Sequence, residues 1–200
     1  MPRVSQQHKE DQRAGILAAA RPCFVRNGFH RTSMLDVFAE AGKSAGAVCR
    51  YFPRKEDLIV GVAAQNLDDI TEVLRTALSP RDGRRGVGQV MAELLEAVIE
   101  RHRDKQLATV ALIVWSEAMH NPALAERLEA ATVDMSQTMA ALVREHQQAR
   151  DWTEAPADAL AKVILSILPG FLLDLALLGP HGVAAFPDAV RTLWPSRVRS

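Results

Sequence analysis

The long segments of this chain repeat their apolar residues three and four positions apart, and no stretch sustains the alternation of apolar and polar residues that a half-buried strand requires. That pattern predicts an all-α chain. Punctuation divides it at Asn27-Gly28, Gly42, Phe52-Pro53, Ser79-Pro80 through Gly88, Asn121-Pro122, Asp151 through Pro156, and Gly179-Pro180. Nine helices follow, near 6–27, 33–40, 45–51, 55–78, 86–103, 105–119, 122–149, 156–178 and 183–193. Pro22 falls inside the first, where a missing N–H should bend or interrupt it. No repeat or low-complexity tract is evident, and 195–200 reads as a loose tail.

Two hundred residues, 48% of them apolar, suit one large domain or two small ones with a core that needs no staple. Cys23 and Cys49 fit no CxxC or zinc spacing and the amino end does not read as a signal peptide, so a reduced, cytoplasmic protein is expected. The most apolar run, Val163 to Leu178, contains Pro169, Gly170 and Asp174 and is short for a bilayer span. A buried helix and no membrane partner are expected there.

The net charge of zero hides an asymmetry. Through Lys55 there are ten Lys+Arg against four Asp+Glu; the remainder carries fourteen against twenty. A basic head on an acidic body is the electrostatic footprint of a nucleic-acid contact, although a solvated face gives the same count.

The stretch AGKSAGAVCRYFPRKEDL, from Ala41 to Leu58, reads as two short helices joined by a tight glycine turn, a helix-turn-helix. Residues Asp36 to Ala41 form the first, with Val37, Phe38 and Ala41 inward, and Gly42 closes it in the left-handed backbone that a side chain disfavours. Ser44 caps the second. Val48 and either Tyr51 or Phe52 face the core, which leaves Ala45, Gly46, Ala47, Cys49 and Arg50 outward on a face small enough for the backbone to lie close to DNA. Pro53 ends that helix, and Lys55-Glu56-Asp57-Leu58 opens the next with acidic residues at the positive end of its dipole.

The ordered set Gly28-Phe29, Thr32-Ser33, Asp36-Val37, Ala41-Gly42, Ser44, Gly46, Val48, Tyr51-Phe52, Lys55 and Leu58 resembles the DNA-binding domain of the TetR family of bacterial transcriptional regulators, over about residues 10–60. The order of the later helices resembles the family's regulatory domain. Four positions depart from the pattern: Phe38 and Lys43, where alanine and valine are usual, and Ala47 and Cys49, where threonine and tyrosine are common. A phenylalanine at 38 must splay the short helices or turn toward the preceding long one. The resemblance places Thr32, Ser33, Ser44, Tyr51 and Lys55 at phosphates, and Ala45, Ala47, Cys49 and Arg50 on the helix that enters the major groove. Arg50 could pair bidentately with guanine, worth about 1–3 kcal/mol of discrimination, or hold a phosphate. Cys49 reads as a plain small side chain or as a thiol open to oxidation beside Arg50.

One such head covers a short half-site, so a homodimer on a double-stranded palindromic operator is expected. Leu124, Leu128, Ala131, Met135, Met139 (or Thr138), Leu142 and His146 form an apolar stripe on one helix. Leu160, Val163, Ile164, Ile167, Leu168, Phe171, Leu172, Leu175 and Leu178 make the next apolar almost all round. The resemblance makes these two helices a four-helix dimer interface; packing within one subunit is the alternative. Met91, Leu94, Leu95, Val98, Leu112, Trp115, Ser116 and Met119 are an ordinary core by sequence, and by resemblance a pocket for a small apolar or aromatic effector. Asp174, on the apolar helix, needs a partner if buried and is a second pointer to that effector.

There is no GxSxG, GxxxxGK[ST] or HExxH, and no two of His8, His30, His102, His120, His146 and His181 fall four apart on one helix. No enzyme activity, cofactor or metal is expected. The expected organisation is a helix-turn-helix domain over 1–54, a regulatory and dimerisation domain over 55–194, and a tail over 195–200. Together these imply a ligand-responsive regulator, a repressor released by an inducer. The alternatives are a constitutive DNA-binding dimer and an all-helical enzyme or ligand carrier.

Overall fold

The computed structural model describes residues 6–78, 86–150 and 155–193. The tail at 195–200, the punctuation at 79–85 and 151–154, and the side chain expected on the stripe at His146 lie outside the described residues. Among the described residues the chain is helical without a strand: α1 Gln6–Arg31, α2 Met34–Ala41, α3 Ala45–Cys49, α4 Lys55–Leu78, α5 Val87–Lys105, α6 Leu107–Ala118, α7 Pro122–Arg150, α8 Ala157–Leu165, α9 Ile167–Gly182 and α10 Phe186–Leu193. The expected nine become ten because one predicted helix is two. Pro169 cannot donate to the carbonyl of Leu165 and its ring crowds that oxygen, so α8 ends there. Ser166 closes α8, its N–H donating to Lys162 O at 3.0 Å and its hydroxyl to the same oxygen at 2.7 Å.

The first helix departs from expectation in the opposite sense. Pro22 lies inside α1, yet the residue there with non-helical dihedrals is Gly28, at φ 72° and ψ 167°. A single lost N–H is tolerated where the flanking turns are anchored by core contacts, and α1 is anchored by Ile16, Leu17, Ala20, Cys23 and Phe24, all buried. Gly28 then adopts a backbone that a Cβ would strain, turning Phe29 back against Phe24 with ring centroids 5.6 Å apart.

Two compact units divide the chain, Met1–Asn66 with Val110–Ala125, and Leu67–Thr109 with Glu126–Ser200. The first two turns of α4 belong with the head because Leu58, Ile59 and Val62 are buried at 0–1% exposure, and Gly61 admits Leu17 and Phe52 against the helix backbone. Glu117, 8% exposed on α6, is bound in the same unit by His30, with Nε2 to Oε1 at 2.9 Å.

In the second unit α10 lies against α5, held by Arg191, which donates to Glu96 Oε1 at 2.6 Å and to Gln89 Oε1 at 3.3 Å. The glutamate bond also pushes the arginine's pKa up. Arg101 and Lys105 both donate to Asp69 Oδ1, at 3.3 and 2.7 Å. His102 is buried and its Nδ1 accepts the N–H of Ala108 at 3.1 Å, satisfying a donor in the first turn of α6. Burial pulls this imidazole's pKa down, so the neutral, accepting form is favoured.

The apolar run was expected to be buried. Ile164, Leu168, Phe171, Leu172 and Leu175 are, but Val163, Leu173, Leu177 and Leu178 are 65%, 44%, 71% and 61% exposed. An amphipathic helix buries one face in its own chain, and these residues lie on the other. Ala157–Gly182 is apolar enough by length and composition to cross a bilayer, a test that the core helix of a soluble protein also passes; it divides into α8 and α9 at Ser166, and its dihedrals leave the helical region at Gly179 (φ 71°).

Candidate nucleic-acid interface

Local chemistry builds the head one cap at a time. Ser33 opens α2 through a reciprocal capping box: Asp36 N–H donates to Ser33 Oγ at 3.2 Å and Ser33 N–H to Asp36 Oδ2 at 2.7 Å. The backbone bond from Ser33 holds the Asp36 carboxyl below its usual range. Gly42 ends α2 at φ 60° and ψ 33°, with Lys43 N–H reaching Phe38 O at 3.1 Å. Ser44 caps α3, its Oγ accepting from Ala47 N–H at 3.3 Å. Behind α3, Val48 and Phe52 are fully buried, and Arg13 on α1 lies 4.4 Å from the Phe52 ring centroid. Of the two aromatics considered for the core, Phe52 takes the place and Tyr51 stays half-buried.

Outward, α3 presents Ala45, Gly46 and Ala47 exposed and Cys49 half-buried. Arg50 is exposed at the end of the helix, where its backbone N–H donates to Val48 O, and its guanidinium has no hydrogen bond or ion pair to a described residue. Ser33 and Ser44 are exposed as well, although both hydroxyls are engaged in caps. Cys23, the other free thiol, is buried, which pushes its pKa up.

Two members of the expected phosphate set bond within the head. Thr32 is 1% exposed and its hydroxyl is directed at Cys23 O (3.0 Å) and Gly28 O (2.7 Å), so its side chain faces the head's interior. Lys55 is half-buried, its ammonium donating to Phe29 O at 2.9 Å and His30 O at 3.1 Å. Phe38, expected inward, is half-buried: α2 turns it to the rim, so the short helices need not absorb the added volume. Lys43 reaches back to α1, where its Nζ donates to Gln12 Oε1 at 2.8 Å. The Asp36 cap could have been read from Ser33 three residues earlier; the lysine bond to Gln12 and the His30–Glu117 pair depend on tertiary placement and leave no local signal.

The expected effector set is scattered in burial. Met91, Leu94, Leu95 and Val98 are 0% exposed on α5. Leu112 and Trp115 on α6 are half-buried and Ser116 is exposed. Met119 is 81% exposed because α6 stops at Ala118 and the residue falls in the turn before α7. Asp174 is half-buried, on the same helix as the exposed Leu173 and Leu177. An open depression of about 600 Å³ runs along α7, lined by Glu126, Glu129, Ala130, Val133, Asp134 and Gln137, and contains none of these residues.

Among the described residues, a helix-turn-helix with both short helices capped opens a chain that is otherwise helical. Residues 16–62 match the family model described as bacterial regulatory proteins, tetR family, and residues 84–194 match the BetI-type transcriptional repressor C-terminal model. The chain belongs to the TetR family, whose amino-terminal domain the opening residues resemble. The HTH-type transcriptional regulator YfiR of Bacillus subtilis is 32% identical over 97 residues, 48% of this chain and 47% of that one. The HTH-type transcriptional repressor AcnR of Corynebacterium diphtheriae is 29% identical over 177 residues, 88% and 87% of the two chains. In fold, a regulator from Saccharomonospora viridis, solved in complex with choline, superposes with a TM-score of 0.75 at 23% identity, covering 92% of this chain and 95% of that one. The relatives are transcriptional regulators, not enzymes.

Proposed function

We propose that this regulator binds a palindromic double-stranded operator as a homodimer, represses from it, and is released by a small-molecule inducer. The observation that carries the reading is the outer face of α3. Its small side chains at Ala45, Gly46 and Ala47 allow close approach of the backbone to a groove, and the guanidinium of Arg50 beside them is not occupied by a described residue. In this reading Arg50 pairs with a base, Ser33, Ser44 and Tyr51 meet phosphates, and Ala45, Ala47 and Cys49 lie against base edges.

The exposed Val163, Leu173, Leu177 and Leu178, with the half-buried Leu128, Met135 and Leu142 of α7, supply the surface for a second copy. Uncovered apolar area of this kind is stabilised by association, at about 25 cal/mol per Å² removed from water. Inducer binding is supported by the choline complex of a relative and by the adaptable Met91 on the apolar face of α5. Because choline is a cation, the screen for an inducer includes small cations beside apolar and aromatic compounds.

Selection of duplexes from a random pool, followed by light scattering of the complex, tests the reading. An enriched palindrome with two half-sites about one DNA turn apart, bound by two chains, is expected. Recovery of no sequence above background would remove the operator, and one chain per duplex would remove the dimer. A panel of small molecules that never releases the enriched duplex would favour the constitutive regulator.

A further inference from the structure

The last turn of α1 is held from outside the helix. Gly28 breaks the helical backbone, so the carbonyls of Phe29 and His30 lie beyond the regular ladder and need donors from elsewhere. Lys55, the first residue of α4, supplies them at 2.9 and 3.1 Å, and its ammonium also lies 4.5 Å from the centroid of the buried Phe29 ring. Two of the three ammonium hydrogens are thereby directed at carbonyls. The same turn is gripped on its side chain by Glu117, which pairs with His30 at 2.9 Å.

Only the residues from Arg50 to Arg54 separate α3 from α4. The start of α4 therefore sets where the reading helix stands relative to α1. We propose that Lys55 is a positioning residue for DNA recognition, acting through the Phe29–His30 turn, and not a phosphate anchor. The inference deepens the operator reading and rests on it. Loss of the lysine bonds leaves the binding-competent arrangement less populated, and apparent affinity falls with that population.

The two roles separate in salt dependence and in coupling. A lysine on a phosphate contributes a released counterion, so its removal lowers the slope of log affinity against log salt by about 0.9 per contact. A positioning lysine leaves that slope unchanged. Phe29 is 8% exposed and out of reach of a phosphate, so coupling between residues 55 and 29 reports the turn alone.

The experiment uses the full chain and its selected operator duplex, titrated by fluorescence anisotropy across a salt series, at a temperature where circular dichroism shows each variant folded. Lys55→Met is expected to weaken binding roughly tenfold with an unchanged salt slope. Lys55→Gln, which keeps a neutral donor, should recover part of the loss. The Lys55→Met/Phe29→Leu double variant should bind much like the weaker single. A slope reduced by about one per protomer, no recovery by glutamine, or additive effects of the two changes would each overturn the proposal.

Amide exchange supplies a readout without DNA. Lys55→Met should speed exchange in the segment from Phe29 to Thr32, and unchanged exchange there would also overturn the proposal. A parent chain that shows no salt-dependent DNA binding would instead remove the operator reading, with the exchange result still deciding whether Lys55 holds the turn.

Discussion

Gly61 on α4 sits where the helix backbone meets Leu17 of α1 and Phe52 of the connection between α3 and α4, and replacing it with alanine sets two effects of similar size against each other. A Cβ placed there lies 2.7 Å from Leu17 Cδ2, 3.2 Å from Leu17 Cδ1 and 3.2 Å from Phe52 Cε1. Helix propensity favours alanine over glycine by about 1 kcal/mol. Against that, overpacking a core costs about 1–3 kcal/mol. The closest neighbour is a terminal methyl, which could rotate away, but Leu17 is only 4% exposed and Phe52 is 0% exposed beneath Arg13. Rotation moves the methyl into other core atoms, and an off-rotamer leucine itself costs about 0.5–1.5 kcal/mol. The clash should win, with a net loss of about 1 kcal/mol and a fall in Tm of about 2–4 °C for a chain of this length. Gly15 on α1 is the internal control, since a Cβ there meets nothing within 4 Å. Gly15→Ala should stabilise by up to about 1 kcal/mol. Urea unfolding followed by circular dichroism compares the two, and equal stabilisation by both alanines would refute the argument that Leu17 and Phe52 have no room to move.

Other changes separate the remaining parts of the reading. Ser44→Ala removes the cap of a five-residue helix and should cost about 1 kcal/mol in urea unfolding and weaken operator binding; unchanged binding would mean that α3 is shaped from its buried side alone. Arg50→Ala should relax sequence preference at one base pair by about 1–3 kcal/mol in a competition of single-base operator variants, and a uniform loss across all of them would make Arg50 a phosphate contact. Leu173→Asp with Leu177→Asp should give a folded monomer by light scattering, because both residues are exposed in the single chain; a persistent dimer would place the interface elsewhere. His102 has a folded pKa below its unfolded value of about 6.5, so its contribution is present above that pH and is lost as pH falls, since the unfolded chain binds the proton more readily. Urea midpoints should drop on acidification below about pH 6.5, and less so in His102→Gln; equal drops would show that the imidazole does not govern the cap on α6.

Elements whose determinants are adjacent in sequence were legible. Gly42, Ser44 and Val48 announce the turn, the cap and the buried side of α3 because each acts within four residues of itself, and the structure uses all three in those roles. The end of the regular part of α1 could be read from Asn27-Gly28 for the same reason, and the break before α9 is carried by Pro169, whose effect falls four residues back. What could not be read depends on groups far apart in the chain meeting in space. Thr32 is a hydroxyl in a family pattern until Cys23 O is seen beside it, and the bonds of Lys55 to Phe29 O and His30 O join residues 26 and 25 positions apart. The burial of Met119 failed because periodicity continues past Ala118 while the helix does not.

The division of labour within α3 bears on how a regulator of this kind changes its targets over generations. Val48 alone among its five residues is buried, so the fold places a demand on one codon and leaves its neighbours free. At Ala45, Gly46 and Ala47 a mutation adds atoms to the surface rather than to the core, and a Cβ at Gly46 meets nothing within 4 Å. Lineages can therefore try new side chains against new DNA sequences while the domain goes on folding, so preference can drift by single steps through viable intermediates.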